Sequence, residues 1–404
     1  MNVILSIGLL IFTGFIFGEL AKTIRLPKIS GYILAGILLN PDLLGIMSGK
    51  FVEHTDPLLT IALSVITFSI GGTLSKSKIK SAGKTVLFLT IYESLSAFLF
   101  VFLFMFFSFY FFITIFQSIY LILAISIVLA SLASPTDPSA TLAVIHEYKA
   151  RGIVSDTVLE IAAFDDIMGI IVYTLATAFA TYFLGKTDIH FTHVFIDMGR
   201  NIGGAILVGA VTGFLFNFLI RLFQNESDGS LIVITLGLIL LTYGIADYFK
   251  FETLLSTMTL GAIVVNINPL AENIFKLIER YTDELIFVIF FSLSGLHLQL
   301  SSLTGSFLII AIFIVARALG KFTGIYVGAV QFKTDPKIKK YTAGGLIPQG
   351  GIVIGLALLL MNNEVYQSIS SLVIGIVIGA TLIHEITGPI FSRISLKKAG
   401  ELNK

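Results

Sequence analysis

Cysteine is absent from this chain, and charged residues make up only 13% of it. The first absence excludes disulfides, thiolate metal sites and cysteine nucleophiles. The second sets the chain apart from soluble domains, which are about one-quarter charged. No basic patch of useful size exists outside short loops, and a net charge of +1 gives no footprint for nucleic acid. No positive n-region precedes the first apolar run at Asn2, and no small-residue cleavage site follows before Lys22 and Arg25. That run is expected to be a membrane helix, not a cleaved signal peptide. Low-complexity tracts and short-period repeats are missing as well.

What is abundant is apolar: 56% of the residues, with a mean hydropathy of +0.96. A bilayer crossing takes roughly 20 mostly apolar residues. Runs bounded by charges, Gly and Pro fall at 3–22, 29–46, 56–76, 84–112, 116–147, 156–184, 196–223, 229–247, 252–267, 282–300, 305–330, 338–362 and 365–393. These predict an all-α polytopic membrane protein of about 13 transmembrane helices. The distribution of Lys and Arg tests the count. Of 26, 20 fall after odd-numbered segments or in the C-terminal tail, 4 fall on the other side, and Arg317 and Lys321 lie within a segment. The expected topology therefore has the N-terminus outside and the C-terminus in the cytoplasm, in a cell (inner or plasma) membrane. Connections are short, so no soluble regulatory domain is expected.

Two segments carry their own interruptions. Ser134-Pro135-Thr136-Asp137-Pro138 lies inside the fifth, and Gly344-Gly345-Leu346-Ile347-Pro348-Gln349-Gly350-Gly351 inside the twelfth. Proline removes a backbone donor and clashes with the preceding turn. Unwound backbone at membrane depth is tolerated only where it packs in protein or lines a wet cavity. Gly and Pro also kink ordinary membrane helices. A pair of breaks in separate halves, with Thr-Asp at one centre and Gln at the other, points to a transporter binding site.

Charges inside the apolar runs narrow the chemistry. Asp165-Asp166 sits about ten residues into the sixth segment, roughly 15 Å deep at 1.5 Å per residue. Intramembrane carboxylates are costly and usually functional. Such a group can hold a proton or a hard monovalent cation, and competition between the two produces exchange. Arg317 and Lys321 are spaced i, i+4 and share a helix face. A buried cation there needs an acid, with Asp137, Asp165 and Glu93 as candidates and a Glu93–Arg317 pair as one arrangement.

These residues resemble the cation/proton antiporter superfamily, its bacterial and archaeal sodium/proton and potassium/proton exchangers in particular. The likeness lies in Leu26-Pro27 through Asn40-Pro41, Ile70-Gly71-Gly72-Thr73-Leu74, Thr136-Asp137-Pro138, Asp165-Asp166 and Pro348-Gln349-Gly350-Gly351. The acid pair is similar to that of the superfamily's second branch. The resemblance implies inverted repeats with two crossed discontinuous helices, broken around Pro135, Pro138, Pro348 and Gln349. It implies a core domain, placed at 56–184 and 282–393, and a dimerisation domain, placed at 1–46 and 196–267, in a homodimer. It implies that Asp166 binds Na⁺, with Asp165 beside it and Thr136 near the ion. Asp137 would offset the positive half-helix ends. A basic residue, mapped to Arg317 with Lys321 as the alternative, would offset the negative ones.

The expected function is antiport of a monovalent cation, Na⁺ or Li⁺, against protons, with no cofactor and no enzymatic step. The same fold could exchange K⁺. A sodium-coupled organic-solute symporter would not need the adjacent acids. An intramembrane aspartyl protease would use separated Asp residues such as Asp137 and Asp166, but no Gly-x-Gly-Asp stretch is present.

Overall fold

The structure, a computed structural model, describes residues 2–24, 28–52, 54–112, 118–137, 141–142, 144–145, 148–185, 191–222, 227–297 and 307–402. The helices are α1 (Val3–Thr23), α2 (Lys28–Leu39), α3 (Asp56–Gly72), α4 (Lys76–Phe107), α5 (Ile119–Ser131), α6 (Ile153–Gly185), α7 (Phe191–Leu222) and α8 (Asp228–Tyr248). They continue as α9 (Thr253–Ile267), α10 (Ala271–Tyr281), α11 (Asp283–Leu296), α12 (Phe307–Gln331), α13 (Pro336–Gly345), α14 (Gly351–Leu359) and α15 (Ser370–Ala399). No strand occurs among the described residues. Among the described residues, six helices are long and apolar enough to cross a membrane, a bent pair makes a seventh candidate, and five shorter apolar helices accompany them.

Local chemistry sets the ends. Asn2 caps α1 by accepting from Ile4 N, and Asp335 caps α13 by accepting from Lys337 N ahead of Pro336. The carboxylate of Glu401 caps α6, taking Val154 N, Ser155 N and Ser155 Oγ at 2.8 Å each. Gly83 (φ 71°, ψ 170°) interrupts α4 beside the predicted start at 84, so a polar turn precedes the apolar run. Bending by 46°, α15 turns between His384 and Ile386. Pro389 explains the bend, because its ring clashes with the carbonyl four residues back, at 385.

Of the helices α1–α15, one lies outside the predicted segments. In α10, Ala271, Ile274, Leu277 and Ile278 are buried, while Phe275 stacks on Phe68 with centroids 5.0 Å apart. Its 11 residues repeat apolar positions on one face only, so it reads as a connection in a scan for long apolar runs.

The helices pack as two bundles. α4, α5, α6, α12, α13, α14 and α15 form one. α1, α2, α3, α7, α8, α9 and α11 form the other, with α10 on its margin. This differs from the boundaries read off the sequence: residues 56–72 and 283–296, expected in the core, pack instead against α2 and α9 or against each other. Glycine decides those contacts. A Cβ at Gly71 would meet the Met258 carbonyl and one at Gly261 the Phe68 carbonyl, so α3 and α9 touch backbone to backbone. The pairs Thr67–Thr257 (2.6 Å) and Thr242–Thr212 (2.9 Å) add hydroxyl bonds across α3–α9 and α7–α8. In the first bundle, Gly320 and Gly324 of α12 lie against Ala97 and Tyr92 of α4. That close approach brings Arg317 and Lys321 inside.

Candidate ion site

The two breaks face each other. After Ser131 the backbone leaves the helix, and its carbonyls need donors. Gln349 Nε2 takes Leu132 O (2.7 Å), Arg317 Nε takes Ala133 O (2.9 Å), Lys321 Nζ takes Ser134 O (2.7 Å) and Arg317 Nη2 takes Pro135 O (2.9 Å). On the other break, Arg317 Nη1 donates to Ile347 O (2.6 Å), and Thr141 Oγ1 donates to Gly345 O (2.7 Å). Asp137 N donates directly across to Pro348 O (3.1 Å). Helix C-termini carry partial negative charge, and the buried guanidinium sits between two of them. Asp137 lies at the opposite kind of end: its carboxylate abuts Gly350, where α14 starts. Close docking of the breaks uses two further glycines, Gly169 against Pro135 and Gly388 against Pro348.

The adjacent acids differ in what surrounds them. Consecutive helical residues point about 100° apart at 3.6 residues per turn. Asp165 is fully buried with both oxygens engaged. Its Oδ1 accepts from Ser94 Oγ (3.2 Å) and Ser134 Oγ (2.9 Å), and its Oδ2 accepts from Thr136 Oγ1 and from Lys321 Nζ (3.3 Å). Lys321 also pairs with Glu93 and donates to Thr136 Oγ1 (2.8 Å). Arg317, Lys321, Glu93 and Asp165 are all buried. With both acids ionised, this group of two cations and two anions balances. Asp166 adds one more carboxylate. Its Oδ1 is buried with no hydrogen-bond partner among the described residues.

Asp166 lines a cavity of about 480 Å³ with Thr136, Asp137, Gly350 and Ile352 on one side and Ser69, Thr73, Glu279, Phe287 and Phe291 on the other. That cavity lies between the bundles. A second one, about 680 Å³, lies at the opposite helix ends and is lined by Asp56, Tyr173, Asn201, Glu252 and Tyr366 among others. Asp166 does not line it. No cluster of three or more His, Cys, Asp or Glu residues suited to a resident metal occurs among the described residues.

The structure therefore gathers Asp165, Asp166, Thr136, Asp137, Arg317, Lys321, Glu93, Pro135, Pro348 and Gln349 around one crossing. Pro138 lies outside the described residues. Two details differ from the sequence reading. Glu93 pairs with Lys321, not Arg317, because the guanidinium is taken up by backbone carbonyls of both breaks. The Thr136 hydroxyl is engaged with Asp165 and Lys321, which leaves it one lone pair for an ion. Ser94 and Ser134 have no role in the sequence reading, and His384 reads there as a packing or interfacial polar group. Ser94 follows a buried acid and Ser134 opens the first break, and both positions are visible in the sequence. His384 Nδ1 lies 3.0 Å from Gln349 Oε1, a contact between distant segments that nothing local announces.

Residues 8–393 match the transmembrane sodium/hydrogen exchanger family. The chain belongs to that family. The chain is a multi-pass membrane protein of an exchanger family. Among curated relatives, the cation/H(+) antiporter 20 of Arabidopsis thaliana is 22% identical over 398 residues, 90% of this chain and 46% of that protein. The chain thus spans about half the length of that relative. The Na(+)/H(+) antiporter NhaS4 of Synechocystis is 23% identical over 359 residues, 81% of this chain and 80% of that one. The sodium proton antiporter MjNhaP1 of Methanocaldococcus jannaschii, at pH 8, superposes with a TM-score of 0.77 at 21% identity, covering 98% of both chains. A second structure of it, from electron microscopy, gives 0.74 at 18% identity and full coverage of both.

Proposed function

We propose that this chain exchanges Na⁺ for H⁺ by alternating access, the two competing for Asp166. The observation that carries the reading is the contrast within the acid pair. Asp165 is neutralised by Lys321 and three hydroxyls, whereas Asp166 has a partnerless Oδ1 at the edge of a cavity. An ionised Asp166 lacks a cation, and a proton or a small hard ion supplies one. Binding of either leaves the site closer to neutral, the condition under which a charged group moves through a low-dielectric region at least cost.

The bundle of α4–α6 and α12–α15 is the translocating unit. The bundle of α1–α3, α7–α9 and α11 is the scaffold and the dimerisation unit of a homodimer. The 480 Å³ cavity opens on the side of the Lys- and Arg-rich connections. By the positive-inside rule that side is cytoplasmic, with the N-terminus outside, so this state faces inward. In the cell membrane such an exchanger serves pH and sodium homeostasis. The family match favours this reading over a solute symporter.

The test is an internal pH dye in proteoliposomes, challenged with NaCl, LiCl, KCl and RbCl, for wild type and Asp166→Asn. Sodium-driven proton movement that vanishes in Asp166→Asn is expected. A response to K⁺ alone keeps the mechanism and changes the ion. A wild type silent to every cation overturns the reading.

A further inference from the structure

Of the four carbonyls from Leu132 to Pro135, three are held by cationic donors and one, Leu132 O, by the neutral amide of Gln349. An amide is a conditional holder: turned over, it presents oxygen to oxygen. Gln349 is fully buried, and its Oε1 lies 3.0 Å from His384 Nδ1. Leu132 O only accepts, so the Gln349 NH₂ group points to it and Oε1 points to His384. Oε1 in turn only accepts, so His384 Nδ1 carries a proton. The chain from His384 through Gln349 to Leu132 has one permitted direction. His384 Nε2 has no hydrogen-bond partner among the described residues, and the ring is 1% exposed, so its contact with Gln349 is what orients it.

We infer that His384 is a positioning residue for transport: its Nδ1–H locks the Gln349 amide, which joins the second break to the end of α5. Leu132 lies two residues before Ser134 and four before Thr136, whose hydroxyls hold Asp165. If the amide turns, the Leu132 peptide is released, and the backbone that presents those hydroxyls loosens with it. The inference rests on the exchange reading proposed above.

Three substitutions separate orientation from packing. In His384→Asn the amide nitrogen takes the place of Nδ1. In His384→Gln it takes the place of Nε2, and His384→Leu has no donor. Turnover in proteoliposomes is expected to stay within about twofold of wild type for Asn and to fall about tenfold for Gln and Leu, the cost of one buried acceptor left unpaired. The Na⁺ KM is expected to stay within about twofold in all three, since the ion touches none of these atoms. A packing role would reverse the order, because Gln and Leu fill the space of His better than Asn does. Wild-type turnover in Gln or Leu, or a loss in Asn equal to theirs, overturns the inference. Should Leu fail to fold, Asn against Gln decides.

A wild type silent to all cations would count against the exchange reading, not against His384. In that event ¹⁵N NMR of histidine-labelled protein, with His384 assigned by its absence from the His384→Asn spectrum, reads the tautomer. An Nδ1–H signal supports the inference, and a neutral ring protonated at Nε2 overturns it.

Discussion

In the bundle of α4–α6 and α12–α15, Arg317, Lys321, Glu93 and Asp165 are all fully buried. In the other bundle, α3 meets α9 through glycine backbone contacts and the hydroxyl pair Thr67–Thr257, and α7 meets α8 through the hydroxyl pair Thr212–Thr242. The ion pairs of Lys28 with Glu19 and Glu284 lie at that bundle's rim, partly exposed. Small residues that let backbones approach are the ordinary means of helix association in lipid. Buried charge is not: taking ions out of water costs several kcal/mol each, and apolar packing would often be at least as stable. A protein that has both solutions keeps the costly one where charge has a task. Here that place is the crossing, where an ion or a proton has to be exchanged.

Breaking the charged network is the severest test of this contrast. Lys321→Met leaves Glu93 and Asp165 without their shared ammonium, and removing one partner of a buried pair costs about 3–5 kcal/mol. The mutant is expected to melt far below wild type in detergent, with transport lost. Adding Glu93→Gln should recover part of the melting temperature but not transport. A Lys321→Met protein as stable as wild type would show that the network is not what holds the bundle.

Arg317→Lys tests the other cation more gently. The charge stays, but the planar fork that reaches Ala133, Pro135 and Ile347 does not. Hydrogen bonds to charged groups are worth about 1.5–3 kcal/mol. A loss of that size in unfolding free energy, with turnover reduced more than Na⁺ affinity, is the expected outcome. Equal stability in the two proteins would mean that charge alone neutralises the break carbonyls.

How far the sequence carried this picture follows from which signals are local. The apolar runs, both breaks and the acid pair are contiguous stretches, and among the described residues helices fall within the runs and the backbone leaves the helix at both breaks. The partners within the site were less legible. Arg317 and Lys321 share one face, so spacing could not say which of them meets Glu93; the position of α4 against Gly320 and Gly324 decides it. His384 stands beside Glu385, and nothing in that stretch says that its partner is Gln349, 35 residues away. The packing of α3 and α11 depends on Gly71–Met258 and Gly36–Ser292 contacts, which no periodicity encodes.

The smallest expected effect lies in the glycine-packed bundle, and it sharpens the contrast from the other side. At Gly261 an added methyl group collides with the Phe68 carbonyl and approaches the Gly71 Cα at 3.1 Å. Backbone cannot move aside as a side-chain end can, so α3 and α9 must separate. Overpacking of this kind costs about 1–3 kcal/mol. Gly261→Ala is therefore expected to lower the melting temperature modestly. The folded fraction should retain wild-type Na⁺ KM and turnover, because no atom of the crossing contacts this interface. A change in KM without a change in stability would reverse the assignment, since the α3–α9 contact would then set the shape of the cavity that Ser69 and Thr73 help to line.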